Sequence, residues 1–360
     1  MTTRHDSAER WQVPTRVVPD DDDRPLWVDG GRLTRTPIPD AVRLPGSFAL
    51  PGLVDAHAHL AIKASEPVGL GDTVAAAIAA LDTGVLLIRD LGAPHSVTLD
   101  LPDDPRLPRV ISAGRWLAVE GKFFPDWHEP VAPEELIAAA LAEVRRGASW
   151  VKVLTDWSDP QPTYPIPVLR DMVDAVHAAG ARVAAHNQGT LAVVETGVDS
   201  IEHGASLDET SLRAMAARGT AWTPTLGALE DFRRDIDRQL VEGSPHSDRT
   251  GLLTWRDQLE AGIERLRYQL PLAAQLGITI LAGTDRVGTV VDEVRLLVRY
   301  GLEPVQALKA ATTDARAFLG VPGLQDGAPA DFVTYATNPL LDLSVLDSPT
   351  AVVLGGRRIR

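Results

Sequence analysis

The 360-residue chain is 44% hydrophobic and 23% charged, a balance that supports a substantial apolar core and excludes overall disorder. Its net charge of −14, from 35 basic and 49 acidic residues with the basic ones scattered, argues against nucleic acid or an anionic membrane as a partner. It contains no cysteine, which excludes disulfides, thiolate catalysis and a cysteine-bound zinc, so any metal rests on nitrogen and oxygen ligands.

Residues 1–25 are polar, carry an acidic run at 20–23 and have no apolar signal core, so they read as a flexible tail. No stretch of about 18 apolar residues follows, and a cytoplasmic protein is the expectation. Leu26-Trp27-Val28 and Arg32-Leu33 flank Asp29-Gly30-Gly31, the signature of a tight hairpin. Residues 351–360 repeat the same strand, Gly-Gly, strand form, so the two ends are expected to pair in one small β-structure.

Between the ends, short apolar segments rich in β-formers alternate with longer helical ones, the pattern of parallel strands joined by helices. Eight segments qualify as strands, at 48–60, 85–91, 109–116, 150–156, 181–187, 200–205, 221–226 and 278–285. Eight such units predict an α/β fold of the (β/α)8 TIM-barrel class over residues 50–330, with 26–49 and 331–360 forming a composite domain. Gly84, Gly147, Gly180, Gly197, Gly219 and Gly277 stand where left-handed helix caps belong. Residues 230–276 are longer than a simple crossover and suit a surface helical hairpin better than a lid or an oligomer contact.

Six residues fall at or near the C-terminal ends of these strands, where barrel enzymes build their sites. His57 and His59 close the first strand two residues apart, so both imidazoles face one side. Lys152 lies inside the apolar fourth strand, where a lysine must pair, shift its pKa, be modified or reach solvent. His186 ends the fifth strand and His203 the sixth; each alone is as good a hydrogen-bonded core histidine as a ligand. Asp285 ends the eighth, where capping the next helix is the plain alternative. The conjunction of all six at one end of the barrel is what favours a metal centre.

These stretches resemble the amidohydrolase superfamily, in its branch of imidazolonepropionase-like and prolidase-like enzymes. The resemblance runs over nearly the whole chain: LPGLVDAHAHL at 50–60, VKV at 151–153, VAAH at 183–186, GVDSIEHG at 197–204, TPTL at 223–226, LAGTD at 281–285, ALKAAT at 307–312 and DGAPADFV at 326–333. It implies a small β-sandwich built from both chain ends, and a Lys152 carboxylated to N6-carboxylysine that bridges two metal ions. His57, His59 and Asp285 would then hold one ion, and His186 and His203 the other, with zinc favoured by the donor set. The implied activity is hydrolysis of a C–N bond in a small molecule, an amide, cyclic amide or dipeptide, through a metal-bridging hydroxide. Asp285 would serve as ligand and as catalytic proton shuttle. A mononuclear deaminase or lactonase, with Lys152 unmodified, is the alternative, and a barrel that binds without catalysing is the third reading.

Relatives often carry Gly-Gly-His in the loop after strand three, from which Gly121-Lys122 departs, and His128 is the shifted substitute. Lys122, His128 and Arg286 are the candidate substrate contacts, with Lys122 and Arg286 the cations for a substrate carboxylate. A small-molecule substrate is the expected partner, and dimers or larger rings among relatives make a homo-oligomer the prior.

Overall fold

The structure is a computed structural model and describes residues 10–14, 16–20, 22–157, 161–243 and 248–360. It is a mixed α/β fold built on parallel strands. Leu53–Ala58, Val85–Asp90 and Arg109–Ser112 form one parallel sheet with Val85–Asp90 in the middle. Trp116–Leu117, Trp150–Leu154, Arg182–Asn187, Ser200–His203 and Ala221–Thr223 form a second, in that order and all parallel. Val85–Asp90 and Trp150–Leu154 are buried along their whole length, as strands covered on both faces must be.

Helices return the chain between strands and cover the sheets. Leu70–Asp82 packs Ala77 and Leu81 with Leu86 and Ile88, and Ile166–Ala178 contributes Leu169, Met172, Val173 and Val176 to the same cluster. Burying each such side chain stabilises the fold by about 1.5–3 kcal/mol. The six glycines read as caps all adopt positive φ, between +71° at Gly219 and +109° at Gly147.

Four sequence expectations are corrected. The segment 48–60 is two strands, because the chain changes partners at Gly52: its N–H donates to Asp331 O, whereas the Leu53 N–H donates to Gly84 O. Phe48–Pro51 accordingly pairs antiparallel with Phe332–Tyr335, away from the parallel sheets. The segment 109–116 is likewise split, with Ala113 donating back to Asp90 O and Gly114 accepting from Ala93 before Trp116 joins the second sheet. The segment 278–285 is extended but carries one parallel bridge, Trp222 to Ile280. It is nevertheless held on both sides: Leu281 N–H donates to Trp222 O, Ala56 N–H to Ala282 O and Asp285 N–H to His57 O. Gly283 permits that approach, since a Cβ there would lie 2.5 Å from the His57 Cβ.

The described residues of 10–25 are not a tail. Trp11–Gln12 pairs with Trp27–Asp29 and Val42–Arg43, and Arg16–Val17 with Phe48–Pro51; residues 1–9 lie outside the described residues. Buried Val13, Val17 and Leu26 explain the pairing, since a polar segment that contributes such side chains to a core cannot stay free of it. The chain ends make two sheets, of four and five strands. Val28, Leu33, Ala49, Phe332 and Val353 from both share one apolar cluster. Both expected hairpins are present, turning at Gly30-Gly31 and Gly355-Gly356 with φ of +56°, +79°, +55° and +79°.

The 230–276 region is two packed helices, Leu226–Glu242 and Arg249–Gln275, joined through residues 244–247, which lie outside the described set. Among the described residues no helix is long and apolar enough to cross a membrane.

Candidate metal centre

His57 sits in the Leu53–Ala58 strand and His59 just past it, with their rings 5.1 Å apart. The His57 Nδ1 lies 2.8 Å from Glu202 Oε2 and the His59 Nδ1 lies 3.0 Å from Gly92 O. A carboxylate and a carbonyl only accept, so both Nδ1 atoms donate and each Nε2 is turned inward. There His59 Nε2 is 3.1 Å and His57 Nε2 3.7 Å from Asp285 Oδ1. Acceptor atoms this close need a proton or a cation between them, and a tetrahedral ion about 2.1 Å from each nitrogen would hold ligand atoms about 3.3 Å apart. Among the described residues these three form the group whose donor atoms all lie within 4.8 Å of one another.

Asp285 reaches this position through strained backbone. Asp285 and Arg286 are consecutive non-glycine residues with φ of +45° and +64°, a conformation costing about 1–3 kcal/mol each. The Asp285 N–H bond to His57 O, at 2.7 Å, ties the strained turn to the histidine strand. Burial pushes the Asp285 carboxyl up, but the His59 hydrogen bond and the neighbouring His57 and His203 outweigh it and hold it well below the usual carboxylate range.

The other three candidates come from the second sheet. Parallel register sets Lys152 beside Trp116 and Ala184, His186 beside Leu154 and Glu202, and His203 beside Asn187. The His186 and His203 rings are 4.4 Å apart, and His203 is 5.0 Å from the His57 ring, so the four imidazoles are contiguous. His203 Nδ1 bonds Thr225 Oγ1 at 2.7 Å, while His186 Nε2 lies 3.8 Å from Asp156 Oδ1.

Burial, with the nearby Lys152, pushes His57 down to about 4. Burial likewise takes His203 down to about 3 and His186 well below its ordinary value. All three imidazoles are thereby neutral near pH 7, the form that binds a metal. Lys152 is 1% exposed, and its Nζ has no hydrogen-bond partner. Burial pushes its pKa down to about 8 against the pull of Glu202 and Asp285. A buried amine without a partner is costly, and a lowered pKa makes it a nucleophile near neutral pH.

Glu202 and Arg89 were not singled out from sequence. Both are fully buried; Arg89 Nη2 donates to Glu202 Oε1 at 3.0 Å, and the same carboxylate fixes His57. Burial pushes the Glu202 carboxyl up, but Arg89 and His57 together hold it well below the usual range. The available signal was the one that flagged Lys152: a charge inside an apolar strand, in VLLIRD and in SIEH.

The substrate candidates separate. Arg286 is exposed, stacks on Trp127 at 5.2 Å, and lines a cavity of about 180 Å³ with Ser65, Glu66, Phe124 and Asp126. His128 lines a different cavity of about 370 Å³ with Arg115, Glu143 and Arg146, and none of the six candidate ligands borders it. Lys122 lines neither of these two cavities.

The sequence profile of the amidohydrolase family matches residues 48–359. An uncharacterized protein of Mycobacterium tuberculosis is 37% identical over 97% of this chain and 96% of its own length. Ochratoxinase of Aspergillus niger is 28% identical over 61% of this chain and 47% of its own. The ochratoxinase crystal structure superposes with a TM-score of 0.81 at 21% identity, covering 99% of this chain and 96% of that one. A crystal structure of a Xaa-Pro dipeptidase with bound methionine also gives 0.81, at 23% identity, covering 98% of this chain and all of that one. The match along almost its whole length makes this chain a member of the amidohydrolase family and a hydrolase acting on carbon–nitrogen bonds.

Proposed function

We propose that the chain is a metal-dependent hydrolase of a small amide, cyclic amide or dipeptide-like compound, working from a (β/α)8 barrel with a β-sandwich made of both chain ends. The closing hydrogen bonds of residues 278–285 to the Leu53–Ala58 and Ala221–Thr223 strands support the barrel reading. The observation that carries the activity is the convergence of the His57, His59 and Asp285 donor atoms beside a buried, partnerless Lys152 amine.

The residues fit a binuclear zinc site. His57, His59 and Asp285 would hold one ion and His186 and His203 the other, with a carboxylated Lys152 bridging both. Carboxylation converts an unpaired buried amine into an anionic oxygen donor, which removes the cost of burying it there. Divalent ions in such a site supply Lewis acidity at the scissile carbonyl and acidify bound water. Asp285, half-exposed at the mouth, accepts the proton of the attacking water as its oxygen bonds to the carbonyl carbon, and delivers it to the amine nitrogen as the C–N bond breaks. Glu202 and Arg89 keep the His57 ring and tautomer in place throughout.

A mononuclear site, with deaminase or lactonase activity, has one observation in its favour: among the described residues His186 and His203 lie outside the group of His57, His59 and Asp285, whose donor atoms all fall within 4.8 Å of one another. Elemental analysis of protein grown with zinc and bicarbonate separates the two. About two ions per chain with turnover of dipeptides or cyclic amides supports the binuclear amidohydrolase; one favours the mononuclear site, and none refutes metal dependence.

A further inference from the structure

One wall beside the candidate ligands is aromatic, and its rings form a continuous path. The His186 ring lies 5.4 Å from Trp157, Trp157 lies 5.2 Å from Phe123, Phe123 lies 5.2 Å from Trp116, and Trp116 lies 5.2 Å from His59. The path thus begins at one candidate ligand and ends at another. Phe124 and Trp127 back it, with Phe124 5.3 Å from Trp157 and Trp127 5.8 Å from both Trp116 and Phe123.

The wall is built rather than incidental. Trp116 is 1% exposed and held by sheet register beside Lys152. It also requires Gly92, where a Cβ would fall 2.3 Å from its indole nitrogen. Gly92 in turn supplies the carbonyl that orients His59, so the base of the wall and a candidate ligand share one support. Phe123 and Trp157 are only half-buried, and Trp157 lies against the His186 ring. Exposed aromatic surface in a cleft is stabilised when another ring stacks on it.

We propose that this wall is the specificity subsite for an aromatic group attached next to the scissile C–N bond, so that the substrate is an aryl-bearing amide rather than a small aliphatic one. The proposal rests on the hydrolase reading only for the bond that is cut. Recognition of the ring depends on Trp157 and Phe123 alone, which are outside the candidate ligand set. Two added ring contacts amount to an affinity preference of at least roughly tenfold for the aromatic compound.

The test uses two uncharged probes, N-benzoylglycinamide and N-acetylglycinamide, with the metal-loaded protein. Binding is read by saturation-transfer NMR and cleavage by amine release. The benzoyl compound is expected to bind about tenfold more tightly to the wild type. That ratio should fall to about threefold in Trp157→Ala or Phe123→Ala alone, to near unity in the double variant, and return in Trp157→Phe. Equal binding of the two probes, or a preference untouched by Trp157→Ala in a variant of unchanged melting temperature, overturns the aromatic subsite even if both amides are cleaved. A wild-type preference that Trp157→Ala lowers, with no amide cleaved, supports the subsite and counts against the hydrolase reading of the same cleft instead.

Discussion

Replacing Glu202 by Gln is the sharpest test of how the centre is held. In the wild type Glu202 Oε1 accepts from Arg89 at 3.0 Å and from Ser200 at 2.5 Å, while Oε2 faces His57 Nδ1 at 2.8 Å, all without solvent exposure. The amide of glutamine is neutral and presents N–H where one of these donors needs an acceptor. Arg89 then remains charged and buried without its counter-ion, a defect worth about 3–5 kcal/mol. His57 also loses the partner that sets its tautomer, which costs about 10–100-fold in metal affinity. Urea unfolding of the metal-free protein reads the first effect and zinc competition with a chelator the second. A double-mutant cycle with Arg89→Met should return a coupling of about 1–3 kcal/mol, because the second change removes the charge that the first stranded. Glu202→Gln unfolding within about 0.5 kcal/mol of wild type, with unchanged zinc affinity, would refute the argument that this pair positions His57.

Lys152→Ala should lower bound zinc from about two per chain and abolish turnover while leaving the fold intact, as elemental analysis and circular dichroism would report. Carboxylation of Lys152 requires the neutral amine, and burial places its pKa near 8 instead of 10.5. The neutral fraction rises with pH, so a ¹³C-carbamate signal from labelled bicarbonate should grow with a midpoint near pH 8; a midpoint near 10.5 would show that the amine is not desolvated. Gly283→Ala drives a Cβ to 2.5 Å from the His57 Cβ and 2.8 Å from its backbone nitrogen, so a loss of about 1–3 kcal/mol in urea unfolding is expected together with weaker zinc binding. Arg286→Ala should raise KM for amides bearing a carboxylate and spare kcat, since the exposed guanidinium stacks on Trp127 at the mouth and touches none of the three clustered ligand atoms; a loss in kcat alone would place it in the chemistry.

Much of the architecture was legible because it is written in local pattern. The apolar run 85–88 that opens the Val85–Asp90 strand, the Asp29-Gly30-Gly31 turn and the glycines that end helices each declare themselves within a few residues. What local pattern missed was every place where an element changes partner. The single apolar run from Phe48 onward conceals the switch at Gly52 from one sheet to another, and the polar start of the chain conceals buried Val13 and Val17. Lys152 stood out as a cation in an apolar strand, yet Arg89, under the same signal, was passed over for want of a motif around it.

By itself the sequence determined which residue types stand at or near strand ends: His57, His59, Lys152, His186, His203 and Asp285 are each marked by the apolar segment around them, and such a pattern is a property of neighbouring residues. Only the tertiary structure decided which of their atoms meet. The 3.1 Å approach of His59 to Asp285 spans more than two hundred residues of chain, and the Glu202 link to His57 spans 145. The separation of His128 from Arg286 into different cavities depends on how one loop folds over the sheet ends. Contacts of that kind arise from sheet register, packing and strained turns acting together, and none of these is encoded in any single stretch of sequence.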